Sequence, residues 1–560
     1  MAARAGSAEP RLRSHPALLA IAVAGPVLEV ALLWTVGLTP AVGLAAAVTA
    51  PAPYAALHDL RWLLVYHRSW AGLVAEAAAM LAFRATLTTL TVRAAWPAGA
   101  THPPLRSLLA RCVTLTLTNA LLLAPWAALL FGLAIVPVSW LFFAAVPPVL
   151  AIGLLVQHGP ATGGWWRRWP PARAAGWGAL TFLVVTLAGA ALTASPAPLR
   201  LPVAAAAGLF NAWAWLGIVQ AVAGPGRQGI PVRAVPLVPV ALVLVLAVVA
   251  TGVALAFRIG HGSRLDRSRP STGPGAGRPL LVVAGFGSSW QGRSRRWLPG
   301  GFDERRFSYR GQDEHGRPLP YTDQDTHRPL PELVRLMADQ VAAFHRATGQ
   351  PASIVAESEG ALAAKAYLLA NPAAPVRELI LLSPLVSPAR VWYPPPGRSG
   401  WGLATGWELR ELGRVLRTLS GSDLTTETPL VRSIVDHAPA LRGALACPLP
   451  NVHELALFPL ADAVAAPHPS RIRIPSGVVP AFHGGLLSEP SVQETVTGYL
   501  DDSRPPPAAA WLAAELLLRA ASAAWQVPEL PLTLNAAWRE PPGPDPGCGQ
   551  IAAALRRWVG

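Results

Sequence analysis

Charged residues are scarce in this chain of 560 residues. Asp, Glu, Lys and Arg make up 14% of it and hydrophobic residues 52%, whereas about 25% charged residues is usual for a soluble domain. This composition excludes an ordinary soluble globule, and its apolar content also excludes a disordered chain. We therefore predict a membrane protein, with the lipid bilayer as its first partner.

Cysteine is scarce as well, with only Cys112, Cys447 and Cys548 in the whole chain. Three cysteines cannot form a disulfide framework. Cys112 lies in an apolar stretch, whereas the other two lie in the more polar second half. One disulfide between Cys447 and Cys548 is compatible with an extracytoplasmic second half.

Acidic residues are nearly missing from the first 258 positions, which contain four of them against 16 arginines. This half therefore carries +12 of the chain's net +15. Arginines beside apolar segments are typical of membrane spans, whereas a nucleic-acid-binding protein would concentrate them on its soluble part. We predict no nucleic-acid partner. Abundant Arg, Ala and Pro with a single lysine, Lys365, indicate a GC-rich bacterial genome and hence a bacterial cell membrane.

Seven apolar stretches are long enough to cross a bilayer. They are 17–37, 40–57, 112–133, 137–156, 177–195, 202–224 and 235–257. An eighth stretch, 69–92, contains Glu76 and Arg84, and these charges favour a position at the membrane interface. With seven spans the flanking arginines divide 14 to 5 between the two sides, and with eight they divide 10 to 8. The positive-inside rule favours seven spans, which places the second half outside the cytoplasm.

The composition changes after a transmembrane domain over 1–258. Residues 259–278 are rich in Gly, Ser, Pro and Arg and predict a linker. Short apolar runs then alternate with amphipathic stretches, which is typical of a mostly parallel α/β sheet. The first two strands are predicted over 279–284 and 305–310.

One serine lies where a nucleophile would be presented. Ala356-Glu357-Ser358-Glu359-Gly360 follows a predicted strand and precedes a predicted helix. A sharp strand-to-helix turn needs small residues two positions before and after the serine, and Ala356 and Gly360 meet this need. A serine in this place can also be a simple helix cap, so the nucleophile interpretation requires a base and an acid elsewhere in the sequence.

Two later positions supply those partners. Asp462 follows the apolar run 452–458, and His483 follows Val478-Val479. A serine nucleophile needs a histidine base and an acid that orients it, and the order Ser, Asp, His with each residue after a strand fits this requirement. We predict Ser358, Asp462 and His483 as catalytic residues. Asp436-His437 is a less favoured alternative pair, because it lies in an irregular region.

Residues 279–500 resemble an α/β-hydrolase of the lipase/esterase type, here fused to a polytopic membrane domain. The resemblance rests on Val282 to Gly287, the turn around Ser358, the Asp462 loop and His483 to Leu487. It implies an oxyanion hole from the backbone N–H groups of Phe286 and Glu359, and a cap insertion over 388–450. It implies neither a metal nor an organic cofactor. Residues 501–560 are left as a C-terminal helix and tail, with an amphipathic helix around 508–525 that packs on the hydrolase domain or rests on the membrane.

Two carboxylates flank the serine and would oppose a developing oxyanion unless they point into solvent. Glu359 begins the predicted helix, where a negative side chain is favoured by the helix dipole. We therefore interpret Glu359 as favoured by the helix dipole and not as a catalytic residue. A polar loop with His315, His327 and three aspartates (Asp313, Asp323 and Asp325) is interpreted as solvated, with cation binding as the alternative.

Together these features predict a membrane-anchored serine hydrolase that cleaves an ester, thioester or amide through an acyl-enzyme, with a carboxylic ester as the favoured substrate. Membrane attachment makes lipid or lipid-linked substrates plausible. Two alternatives stay open: a membrane scaffold or transport-related protein whose hydrolase-like domain only binds a ligand, and an enzyme that transfers the acyl group to an acceptor other than water.

Overall fold

The computed structural model describes residues 15–132, 141–223, 277–293, 296–298, 301–385, 393–420, 427–460, 474–481, 483–502, 511–525 and 547–559. The predicted span 235–257, nearly all of the linker 259–278, and Asp462 lie outside the described residues. The domain boundaries given above therefore stay predictions.

The N-terminal region is helical. Its helices are α1 (Pro16–Thr35), α2 (Tyr54–Val65), α3 (Trp70–Ala94), α4 (Leu105–Gly132), α5 (Leu141–Val156), α6 (Ala172–Ala194) and α7 (Ala197–Ala223). Among the described residues, five helices are long and apolar enough to cross a membrane, namely α1, α3, α4, α6 and α7. Leu28, Leu121 and Leu187 on three of them are more than half exposed, as expected for helix faces that contact lipid. These helices fit a membrane domain, which is the name used for this region below, and the predicted count of seven spans is not confirmed.

The predicted span 40–57 is wrong. Thr39–Ala47 forms a 3-10 helix instead, and α2 starts only at Tyr54. The sequence contains Pro40, Pro51 and Pro53, and proline cannot donate the hydrogen bonds of a continuous α-helix.

Side chains from neighbouring helices satisfy the backbone of this irregular segment. Its carbonyl groups at 46, 48 and 49 accept hydrogen bonds from Asn211, Arg84 and Trp215, respectively. Irregular backbone is tolerated at membrane depth only where protein or enclosed water satisfies it.

The interfacial placement of 69–92 is not confirmed, because α3 is itself a candidate span of 25 residues. The charge that argued against a span, Arg84, is buried and donates two hydrogen bonds of 2.6 Å to Asp59. His58 extends this cluster, with its Nδ1 atom 3.0 Å from Asp59 and its Nε2 atom 2.8 Å from Glu29. Pairing with an opposite charge lowers the free-energy cost of burying a charged side chain. A hydropathy scale scores each residue separately and therefore misses this effect.

The second region is an α/β domain built on a parallel sheet. Its strands are β1 (Arg278–Val283), β2 (Phe302–Arg306), β3 (Ala352–Glu357), β4 (Val376–Leu382), β5 (His453–Pro459) and β6 (Ser476–Val479), arranged in the order β2-β1-β3-β4-β5-β6. The strand predicted over 305–310 is shifted, since Phe302 pairs with Arg278 and Arg306 with Val282. All five strand pairs are parallel, so every strand ends at the same edge of the sheet.

The remaining helices cover this sheet and connect it to the membrane domain. They are α8 (Leu330–Thr348), α9 (Glu359–Ala370), α10 (Leu403–Ser420), α11 (Pro429–Asp436), α12 (Ala438–Ala444), α13 (Pro490–Asp502), α14 (Leu512–Ser522) and α15 (Cys548–Val559). Three of them, α10 to α12, lie inside the predicted cap insertion. A disulfide joins Cys447 to Cys548, which fixes the start of α15 to the segment before β5.

The tail of the α/β domain reaches into the membrane domain. Helix α14 packs against α6 of the membrane domain. Beyond α14, Trp525 is buried, stacks on Phe182 and donates a hydrogen bond to Thr186. The Ala524 carbonyl accepts a hydrogen bond from Arg61.

A second attachment joins the loop between α2 and α3 to the start of α10. His67 accepts a hydrogen bond of 2.8 Å from the Ala404 N–H through Nε2, and its Nδ1 atom contacts the Leu63 carbonyl at 2.8 Å. Thr405 donates to the Leu64 carbonyl, and Arg68 lies over the Trp401 ring. The α/β domain is thus attached to the membrane domain at two places.

We expect acidification to loosen this second attachment. Burial lowers the pKa of His67 below its usual 6.5, so the neutral ring is the form that accepts from Ala404. The stabilisation is complete above about pH 6.5 and is lost as the pH falls through the lowered pKa. The protection factors of the amides of residues 400–407, which are exchange rates corrected for the intrinsic effect of pH, should fall in the full chain at about pH 4.5 relative to pH 7.5. In His67→Gln, whose amide oxygen accepts at any pH, the fall should be smaller, and an equal fall would contradict a role of His67 in this attachment.

Candidate active site

Ser358 lies in a sharp turn between β3 and α9. Its backbone has φ 53° and ψ −113°, a region that non-glycine residues rarely adopt and that is common at functional sites. The turn is tightly packed, since a Cβ atom on Gly360 would lie 2.6 Å from Val283 Cγ1 and one on Gly285 would lie 3.1 Å from Ser358 Cβ. Gly360, two positions after Ser358, is therefore required sterically.

The structure brings Ser358 and His483 together. The Ser358 Oγ atom lies 2.8 Å from His483 Nε2, which is hydrogen-bond distance. Ser358 follows β3, and His483 follows β6 by four residues, so both lie at the edge where the parallel strands end. This geometry allows the hydroxyl to donate its proton to a neutral imidazole.

Asp462 lies outside the described residues, three positions after the end of β5 at Pro459. Strand β5 pairs with β6, which precedes His483. The strand ends that lead to Asp462 and His483 are therefore neighbours at one sheet edge. The contact between Asp462 and His483 stays a prediction.

The predicted oxyanion-hole residues lie on the two turns that meet at Ser358. Phe286 is in the turn after β1, where its ring stacks on His327 at 4.7 Å, and Gly287 N–H donates to Thr326 Oγ1 at 3.0 Å. Glu359 is the first residue of α9. The close approach of Gly285 to Ser358 holds the first turn beside the nucleophile. The donor roles of the Phe286 and Glu359 amides stay predictions.

Glu357 and Glu359 do not point into solvent, because they are only 4% and 2% exposed. Glu357 Oε1 accepts hydrogen bonds from the Leu486 and Leu487 amides, at 2.8 and 3.3 Å. Neither carboxyl oxygen of Glu359 has a hydrogen-bond partner within the described part of the chain. Burial raises the pKa of Glu357 and raises that of Glu359 well above its usual value, so burial favours the protonated form of Glu359.

We expect Glu359→Gln to change how stability depends on pH. Since the pKa of Glu359 is raised in the folded state, the folded chain binds a proton that the unfolded chain releases above about pH 4.5. The wild type should therefore lose up to about 1.4 kcal/mol of stability per pH unit between the two pKa values. The Gln variant lacks this loss, so its thermal midpoint in detergent should exceed that of the wild type by a margin that grows from pH 5 to pH 7. Parallel curves would show that Glu359 is ionised in the folded protein.

The other polar candidates have local structural partners. Asp313 Oδ1 accepts from the His315 and Arg317 amides, and Asp325 forms a capping box with Thr322. Within the described ranges there is no group of three or more His, Cys, Asp or Glu side chains that could hold a metal ion. His437 ends α11, with its Nδ1 atom 2.9 Å from the Ser433 carbonyl.

The hydrogen bonds of Glu357 were missed by sequence reasoning. They depend on the chain after β6 folding back toward β3, and Glu357 and Leu486 are 129 residues apart. A charged residue at the end of a buried strand was the only signal in the sequence. Its burial implies that some donor must satisfy the carboxylate.

Comparisons with known proteins find similarity only to solved structures, over the C-terminal part of the chain. An esterase, EaEST, from Exiguobacterium antarcticum is 17% identical, with a TM-score of 0.25 over 41% of this chain and 93% of its own. The N-formylmaleamic acid deformylase Nfo from Pseudomonas putida is 20% identical, with a TM-score of 0.22 over 37% of this chain and 84% of its own. No family model and no curated protein matches the chain.

Proposed function

We propose that this protein is a membrane-anchored serine hydrolase that cleaves a carboxylic ester, or a related thioester or amide, through an acyl-enzyme. One observation carries the proposal: Ser358 has a left-handed backbone between a parallel strand and a helix, with its Oγ atom 2.8 Å from His483 Nε2. A strained serine beside a histidine is the arrangement that activates a hydroxyl for nucleophilic attack.

In the proposed reaction, Ser358 Oγ attacks the carbonyl carbon while His483 Nε2 takes the hydroxyl proton. The imidazolium then gives this proton to the leaving group, and an acyl-enzyme forms on Ser358. A water molecule, deprotonated by His483, attacks the acyl carbon, and the acid is released as the imidazolium returns the proton to Ser358 Oγ. Asp462 orients His483, and the backbone amides of Phe286 and Glu359 stabilise the oxyanion in both steps.

We further propose that the α/β domain lies outside the cytoplasm. The two ends of α3 support this, because His15 contacts the Ala94 carbonyl at one end and Trp70 contacts Trp407 of α10 at the other. The 25 residues of α3 separate these contacts by about 37 Å. The start of α1 and the start of α10 thus lie at opposite ends of the membrane domain.

The charges at those two ends differ. Arginines at or near the end marked by Ala94 are Arg93, Arg106, Arg111, Arg167, Arg168 and Arg173, whereas Arg68 and Arg200 lie toward the other end. The positive-inside rule makes the arginine-rich end cytoplasmic. A disulfide between Cys447 and Cys548 fits the oxidising side of a bacterial membrane.

Esterase activity of the purified full chain tests the catalytic proposal. Wild type in detergent should hydrolyse p-nitrophenyl butyrate, and Ser358→Ala should not. Ser383→Ala is a matched control, because Ser383 is also a buried serine with positive φ, at the end of the adjacent strand β4, and it should retain activity. A folded wild type without activity toward p-nitrophenyl, thioester or anilide substrates would contradict the proposal.

A further inference from the structure

Glu357 connects the two loops that carry Ser358 and His483. It immediately precedes Ser358, and its Oε1 atom accepts the Leu486 and Leu487 amides at 2.8 and 3.3 Å. These two amides are the first of the 3-10 turn Leu486–Ser488, whose hydrogen bonds begin only with the amide of Ser488. The first amides of such a turn need acceptors from elsewhere, and the Glu357 carboxylate supplies one.

The anchored residues are fixed on their other side as well. Leu486 and Leu487 are fully buried in one of the hydrophobic clusters that pack against the sheet. The Leu487 carbonyl accepts hydrogen bonds from the Trp297 indole and from the side-chain amide of Gln493. Only Gly484 and Gly485 separate His483 from this fixed point. A loop with two consecutive glycines has much conformational freedom, so its anchor decides where the imidazole lies.

The carboxylate also acts on His483 by its charge. Glu357 is buried, and among the described residues the titratable groups that face it are His483 and Tyr309, which follows β2. A nearby negative charge in a poorly solvated site favours the protonated imidazole. That is the form His483 takes when it has removed the serine proton.

We propose that Glu357 is a positioning residue for the reaction: its carboxylate holds the His483 loop in place and its negative charge makes His483 more basic. The inference rests on the proposed function, because it assigns Glu357 a role through His483. It predicts two separable effects, one of the hydrogen bonds and one of the charge.

Two variants of the full chain separate these effects. Glu357→Gln keeps an acceptor oxygen for the two amides but removes the charge, whereas Glu357→Leu removes both. The readout is the rate of labelling by a fluorophosphonate probe from pH 5 to pH 9. The Gln variant should retain a plateau rate within about fivefold of the wild type, with its midpoint shifted to lower pH. The Leu variant should fall about 100-fold or more, since an imidazole displaced by about 1 Å loses that much.

Glu378→Gln is the matched control. Glu378 is a buried carboxylate on the neighbouring strand β4 that accepts from the Ser353 hydroxyl and Arg377, so its loss should not shift the midpoint. An unshifted midpoint in Glu357→Gln would overturn the charge effect. A folded Glu357→Leu variant that labels at the wild-type rate would overturn the anchoring effect.

Hydrogen exchange distinguishes failure of this inference from failure of the proposed function. The amides of Leu486 and Leu487 should be protected in wild type and in Glu357→Gln and should exchange faster in Glu357→Leu, while the amides of α8 stay unchanged. This readout does not require catalysis. If the wild type fails to label, faster exchange in Glu357→Leu still supports the anchor, and equal exchange overturns it.

Discussion

His483→Ala is expected to lower kcat for an activated ester by about four to six orders of magnitude. Without the imidazole, nothing removes the proton from Ser358 Oγ, which lies 2.8 Å from His483 Nε2 in the wild type. Comparable losses follow removal of the base in other serine hydrolases, because the residues of such a triad act as a unit. Burst kinetics with p-nitrophenyl butyrate measure both the acylation and the deacylation steps.

His437→Ala is the matched control for this prediction. His437 belongs to the alternative pair with Asp436, and it lies at the end of α11 with its Nδ1 atom near the Ser433 carbonyl. Its loss should leave kcat within about threefold, since surface substitutions rarely do more. A loss in His437→Ala equal to that in His483→Ala would move the site to the alternative pair. Asp462→Asn should cost about 10⁴-fold if Asp462 orients the histidine.

Arg84→Leu is expected to destabilise the membrane domain by about 3–5 kcal/mol. The variant leaves the buried Asp59 carboxylate without its two hydrogen bonds of 2.6 Å from Arg84. It also removes the donor that satisfies the Val48 carbonyl in the irregular segment. The thermal midpoint and the monodisperse fraction in detergent should both fall.

A double variant and a control separate the effect of the uncompensated Asp59 charge from the effect of losing the Arg84 side chain. Arg84→Leu with Asp59→Leu removes both partners, and it should recover part of the lost stability because no uncompensated charge is left. Arg93→Leu changes an exposed arginine of the same helix, and it should shift stability by no more than about 0.5 kcal/mol. Equal stability of Arg84→Leu and the wild type would show that the Asp59 cluster does not hold the irregular segment.

The α/β domain could be predicted from the sequence in its regular parts. Helix α8 can be read from its sequence, because Leu333, Met337, Val341 and Phe344 recur at helical spacing and Gly349 ends the helix with positive φ. Strand β3 is a fully buried run of six residues. Once these elements are placed, a parallel sheet brings Ser358 and His483 to one edge, although 125 residues separate them.

Features that depend on long-range pairing could not be predicted. Hydropathy makes residues 40–57 resemble a span and residues 69–92 an interfacial helix. In the structure, prolines interrupt the first segment, and the second is a candidate span whose Arg84 pairs with Asp59. The burial of Glu357 could not be predicted for a similar reason, since its acceptor role depends on amides far along the chain.

The most direct test of the central claim is to map the fluorophosphonate adduct on the membrane-extracted protein by mass spectrometry. Trypsin releases residues 347–365 as one peptide, which contains Ser353 and Ser358 as its only serines. We expect one adduct per chain, which fragmentation locates at Ser358 and which is absent in Ser358→Ala and His483→Ala. An adduct at another serine, or a folded wild type that gains no mass, would contradict an activated Ser358.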